Sequence, residues 1–160
     1  MIAIALALKA AVAQALPLLN TLSNEEAARK PHPDKWSKKE ILGHLIDSAG
    51  NNQQKFVRTM AQQHTDFPGY AQMHWVAVQQ YQSADWYSLI AFWEAYNLHL
   101  AHVIEHTEET KLQNTISIEG AGPFTLAFIM SDYVEHLKHH LRQILPEAGI
   151  KSAFENVYGA

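Results

Sequence analysis

The amino-acid sequence predicts an all-α fold, a four-helix bundle with a short extra helix between the second and third long helices. Three observations carry that prediction. Four segments, near residues 2–22, 37–60, 85–109 and 124–145, repeat apolar residues at the spacing of one helical face. Most prolines and glycines fall between those segments, as in Pro31, Pro33, Pro68-Gly69, Gly120, Gly122-Pro123 and Pro146. No stretch shows a convincing strand alternation, and no internal repeat is detectable.

Composition sets further bounds. A chain of 160 residues is enough for a single domain, 1–160, with a real core. Apolar residues make up 48%, with six Phe, six Tyr and four Trp, which excludes a disordered chain. A net charge of −4, with only twelve scattered Lys and Arg, argues against a nucleic-acid-binding surface. There is no cysteine, so disulfides, a cysteine nucleophile and thiolate metal sites are all excluded. Any site for a soft metal must use nitrogen and oxygen, and ten histidines supply the nitrogen.

The first helix follows from Ile4, Leu8, Ala11, Ala15, Leu18 and Leu22. The same region, with Ala11-Val12-Ala13, has the outline of a signal peptide, but it lacks a basic start and Lys9 interrupts it. It is therefore read as a bundle helix. No segment reaches the roughly 18 apolar residues of a membrane span, so no membrane partner and a cytoplasmic location are expected. Pro17 is expected to kink or split this helix. A polar linker follows.

The second helix has the clearest start. Ser37 and Glu40 form a capping box, and Trp36 and Ile41 a hydrophobic staple. His44 flanks its buried stripe, with Asp47 three residues on. Residues 70–81 form the short extra helix, anchored by Trp75, Val76 and Val78. Ser83 and Asp85 open the third long helix, which runs to about Glu109 and carries His99, His102 and His106. The charged surroundings of the His102/His106 pair mark it as solvated and structural. Residues 110–123 are a connector, and the fourth long helix starts near Phe124 or Thr125. Phe154, Val157 and Tyr158 of the tail are placed to pack back on the bundle.

The chemistry concentrates in Asp132-Tyr133-Val134-Glu135-His136-Leu137-Lys138-His139-His140-Leu141. His136 and His140 share one helical face, on an apolar stripe where polar groups need a partner. Helical His-x3-His can present two nitrogens to one ion such as Zn²⁺ or Ni²⁺. The residues alone equally allow both histidines to hydrogen-bond to carboxylates or water.

Taken together, the motifs resemble the DinB/YfiT-like superfamily. They are Trp36-Ser37-x-x-Glu40-Ile41-x-Gly43-His44-Leu45-x-Asp47-Ser48, Pro68-Gly69 ahead of Trp75, Gly122-x-x-Thr125-Leu126, and Asp132-Tyr133-Val134-x-His136-Leu137-x-His139-His140-Leu141-x-Gln143-Ile144. The resemblance spans nearly the whole chain. It implies a divalent metal ion (Zn, Ni or Mn) held by His44, His136 and His140. It also implies either a metal-dependent hydrolase or a transferase using a low-molecular-weight, bacillithiol-like thiol on a small-molecule substrate.

Three imidazoles leave a coordination position open, as catalytic rather than structural zinc does. Since the chain has no cysteine, a transferred sulfur would arrive with the cosubstrate. Asp47 is the candidate catalytic residue, by orienting an imidazole, accepting a proton or binding the metal. Asp132, one turn before His136, is placed to accept its second ring proton. Trp75 and Trp93 are candidates for the pocket mouth. The alternatives are a non-catalytic metal- or ligand-binding bundle of stress or damage response, and a metal-free homodimer with histidines bonded across the core.

Overall fold

Residues 1–158 are described by a computed structural model. Four long helices make the frame: α1 (Ile2–Leu19), α3 (Lys38–Ala61), α5 (Trp86–Glu105) and α6 (Leu126–Ile144). The short helices α2 (Asn24–Ala28) and α4 (Gln72–Val78) lie in the connections on either side of α3. This is the expected four-helix bundle, and α4 is the expected extra helix. The first long helix packs on α5 and α6, and α3 packs on α6 and α5.

Local chemistry sets where the helices begin. Ser37 Oγ accepts the Glu40 N–H at 3.2 Å, and Glu40 Oε2 accepts the Ser37 N–H at 2.7 Å. Two otherwise orphaned donors are thus satisfied at the start of α3, a contribution of about 1 kcal/mol for the cap. Asp85 caps α5 through the Ser88 N–H at 2.8 Å, and Thr125 caps α6 through the Phe128 N–H at 3.2 Å. A second capping box, Ser23 with Glu26, opens α2 inside what the sequence suggested was only a linker.

Several expectations are corrected. Pro17 does not split α1, which runs unbroken through it to Leu19. The helix ends at Leu19, short of Leu22, and the Asn20 side chain donates to Leu16 O at 2.9 Å. With 18 residues and a mean hydropathy of 2.0, α1 is by length and composition apolar enough to cross a membrane, contrary to the sequence reading. In the bundle it buries Leu8, Val12, Ala15 and Leu19, and Lys9 reaches Glu105 of α5 at 2.5 Å. Of the three anchors expected for α4, only Val76 is buried; Trp75 and Val78 are exposed.

The sequence reading assigned no strand, yet a three-stranded sheet forms. It comprises β1 (His64–Phe67), β2 (Thr115–Ile118) and β3 (Ala121–Thr125), in the order β1-β2-β3. β1 and β2 are parallel, in register from His64 with Thr115 to Phe67 with Ile118. β2 and β3 are antiparallel, with a bulge between Ile116 and Ile118. Four or five residues are too few for alternation to stand out, and Ile116 and Ile118 are its only buried mark on β2. The hairpin turn uses Glu119 and Gly120 at φ 49° and 85°, the left-handed pair that a two-residue turn needs. Because β1 follows α3 and β3 leads into α6, this sheet ties together the ends of the two helices that carry the site.

The core is dominated by Phe56, Trp86, Trp93 and Tyr133, all fully buried. Trp86 Nε1 donates to Leu19 O at 3.1 Å, and the Tyr133 hydroxyl donates to Asn97 Oδ1 at 2.6 Å. Phe56 of α3 meets Tyr133 of α6 edge-on at 6.0 Å between ring centres. These contacts fix α1, α3, α5 and α6 relative to one another.

Candidate metal centre

Helical spacing aligns His44, Ser48, Asn52 and Lys55 on one face of α3, and Asp132, His136 and His140 on one face of α6. The two helices face each other antiparallel, so the early turns of α3 meet the late turns of α6. There His44, His136 and His140 converge, each offering a ring nitrogen, with these atoms all within 4.8 Å of one another. His44 Nε2 lies 3.4 Å from His136 Nε2. His44 is fully buried, while the other two rings are half-buried and open toward a cavity.

The surroundings set the proton of one ring. His140 Nδ1 stands 2.9 Å from Gln143 Oε1, an oxygen that only accepts, so Nδ1 carries the proton and Nε2 keeps its lone pair. His136 Nδ1 faces Ser48 Oγ at 3.4 Å. His44 Nδ1 is buried with no partner. Burial lowers the pKa of all three rings, that of His44 to about 3, with the charge on His140 adding to the effect. His136 is held well below the usual imidazole value by burial and then by its histidine neighbours. His140 is lowered by burial against the opposing bond to Gln143. At neutral pH the centre is three uncharged imidazoles whose ring nitrogens converge.

That arrangement fits a divalent ion. Tetrahedral ligation at Zn–N of about 2.0–2.1 Å separates the nitrogens by about 3.4 Å, the spacing found between His44 and His136. Two ring nitrogens this close at the edge of the core need a shared proton or cation between them. Among the described residues no carboxylate joins this set.

Asp47 sits apart from the three rings. Its Oδ1 accepts from the Tyr81 hydroxyl and from Gln79 Nε2, each at 2.7 Å, while Oδ2 is buried without a partner. Burial raises its pKa against those two bonds. Gly43 makes the contact possible, because a Cβ there would lie 2.2 Å from the Tyr81 ring. Gly43→Ala is therefore expected to destabilise the protein by about 2 kcal/mol, despite alanine's advantage of about 1 kcal/mol in a helix. Urea unfolding checks this, and an unchanged or raised midpoint would reject the close packing of Tyr81 on α3.

Asp132 does not orient His136 as expected, since its Oδ2 accepts from the Tyr158 hydroxyl and Ser48 takes the place beside His136 Nδ1. The tail sets both arrangements. Ser152 Oγ donates to Glu135 O at 2.8 Å, the Ala153 N–H donates to Glu135 Oε2 at 2.7 Å, and Phe154 lies 5.1 Å from the His136 ring. Beside the histidines is a cavity of about 310 Å³, whose wall includes Ser48, Lys55, Tyr70, Asp132, Phe154 and Tyr158.

Trp93 is fully buried core, away from any pocket mouth. Trp75 packs at a tilt against Tyr70, 4.9 Å between ring centres, and so backs the wall from outside, whereas Trp36 is the tryptophan beside His44, at 5.2 Å. His99, His102 and His106 are exposed on α5 and contribute no ligand to the centre. The sequence reading missed Ser48, Lys55, Gln143 and the Gln79–Tyr81 pair. Gln143, one turn from His140 on the same helix, was the member with a local signal.

The superfamily model described as DinB matches residues 7–144. Among solved structures the chain is similar to YfiT from Bacillus subtilis, described as a probable metal-dependent hydrolase with an unusual four-helix bundle topology. The TM-score is 0.81, over 89% of this chain and 82% of that one, at 15% sequence identity. At that identity the likeness is one of fold. No curated protein matches the chain.

Proposed function

We propose that this chain, which belongs to the DinB superfamily, holds one divalent metal ion through His44, His136 and His140 and acts on a small molecule in the adjoining cavity. The observation that carries the proposal is the convergence of three uncharged imidazoles, His44 buried and His136 and His140 opening onto a 310 Å³ cavity. The description of YfiT as a probable metal-dependent hydrolase agrees with it. A nitrogen-only donor set favours Zn²⁺ or Ni²⁺ over the harder Mn²⁺. Such an ion supplies Lewis acidity, which brings water or a thiol to its nucleophilic, deprotonated form near neutral pH.

The chain's own residues do the rest. Gln143 holds the proton of His140 on Nδ1, which keeps its Nε2 free, and the Ser48 hydroxyl faces Nδ1 of His136 as the partner that can hold a proton there. Phe154 screens one side of His136 from water. Asp47 enters as a positioning residue, since its carboxylate holds Tyr81 and Gln79 and its remaining oxygen is buried. The reaction proposed is hydrolysis or thiol transfer, and a thiol would have to be a diffusible cosubstrate because the chain has no cysteine.

The test is to purify the untagged protein, measure bound ions, and assay the loaded protein against esters and electrophiles with and without a low-molecular-weight thiol. About one ion per chain with metal-dependent turnover is expected. Thiol-dependent turnover selects transfer, and thiol-independent turnover selects hydrolysis. A chain that takes up no Zn²⁺, Ni²⁺ or Mn²⁺ would overturn the proposal.

A further inference from the structure

The metal reading leaves one charged group in the cavity unused. Among the described residues, Lys55 is the only lysine or arginine on that wall. Its ammonium makes no hydrogen bond or ion pair among the described residues, and it lies 5.7 Å from the centre of the Phe67 ring and 5.8 Å from that of Tyr158. Half-buried lysines normally gain a counter-charge for the water they lose. Asp132 acts on Lys55 only through space, and one of its oxygens is taken by the Tyr158 hydroxyl. The two rings hold the cation by their faces and fix its position, without neutralising it.

We propose that Lys55 is the anion-recognition point of this cavity, binding a terminal carboxylate or phosphate of a substrate whose reactive end lies against His44, His136 and His140. The inference rests on the metal reading for the second half of that statement. Position supports it. Lys55 is three turns beyond His44 on the same face of α3, about 16 Å along the axis, and it shares the cavity wall with His136, on which its charge acts. The substrate class is thus a small, elongated molecule, with an oxyanion at one end and a hydrolysable or electrophilic centre several bonds away. The aromatic walls, Phe154 and Tyr158, suit an apolar spacer between them.

The experiment uses hydroxamates as metal-directed probes on the zinc-loaded full chain, read by calorimetry. Alkyl hydroxamates with two to five methylenes are compared when they end in methyl, carboxylate or phosphonate. At the best-fitting length the carboxylate or phosphonate probe is expected to bind at least tenfold tighter than its methyl counterpart. Lys55→Met, which keeps the apolar stem, is expected to erase that preference, and Lys55→Arg to retain most of it. Whichever anion is preferred in the wild-type chain identifies the source. Equal binding of anionic and methyl probes at every length, or a preference that survives in Lys55→Met, overturns the assignment of Lys55 while leaving the metal centre standing. Failure of every hydroxamate to bind overturns the metal reading and this inference with it. Unfolding midpoints of both variants verify that the fold is intact.

Discussion

His136→Ala is expected to abolish metal retention, with affinity falling at least about 100-fold, the upper end of what altering a partner of a ligand produces. The three ring centres form a near-equilateral set, 5.3 Å for His44–His136, 4.7 Å for His44–His140 and 4.5 Å for His136–His140, so loss of His136 leaves a single pair of donors. The effect also reads out as stability. A ligand bound only by the folded state at 100 times its dissociation constant adds about 2.7 kcal/mol, which raises the melting temperature by about 8 °C in a chain of this length. Zn²⁺ should give that shift in the wild-type chain and none in His136→Ala. Exposed His102→Ala serves as the control and should behave as wild type. Full stoichiometric retention by His136→Ala would remove the site as drawn.

The metal-free protein is expected to lose stability steeply as pH falls below about 6.5. The folded pKa values of His44, His136 and His140 are all lowered, that of His44 to about 3. In the unfolded chain these rings take up protons near the ordinary value. Between the two limits the unfolded state binds more protons, so acid favours it, and above about 6.5 neither state is charged and the effect vanishes. Each imidazole adds up to about 1.4 kcal/mol per pH unit, so the slope is on the order of 4 kcal/mol per unit when all three act. Asp47 and Asp132 work in the opposite sense at lower pH. Their raised pKa values make the folded state hold protons more tightly, which offsets part of the loss. Urea midpoints of the chelated protein between pH 7.5 and 5 check the slope. A flat profile would contradict three buried neutral rings, and His136→Ala should reduce the slope by about a third.

The helices were legible because their signals are local. The capping box at Ser37 and Glu40, the caps Asp85 and Thr125, and the apolar period of α6 each lie within a few residues. The His136/His140 pair was legible for the same reason, whereas His44 came to the site only through resemblance, since nothing in its own helix distinguishes it from a boundary residue. What stayed hidden depends on contacts distant in sequence. The parallel pairing of His64 with Thr115 joins two short segments that have no pattern of their own. Asp132 shares a face with His136, and that spacing suggested a hydrogen bond between them, but the tail brings the Tyr158 hydroxyl to it instead. The demand on Gly43 likewise belongs to Tyr81, a residue of the following connection.

The 92 residues separating His44 from His136 bear on how the protein is made. At about 5–20 residues per second, the ribosome delivers the second ligand on the order of 10 s after the first. During that interval His44 has no partner ring, and the strands that join the end of α3 to the start of α6 cannot yet pair. Small zinc-dependent domains gather ligands from one short segment, and the ion drives their folding. Here the ligand set is complete only once the last long helix has docked. On the proposed metal reading, ion capture would therefore follow folding as a loading step on the finished bundle, and metal scarcity would leave folded, empty protein in place of unfolded chain.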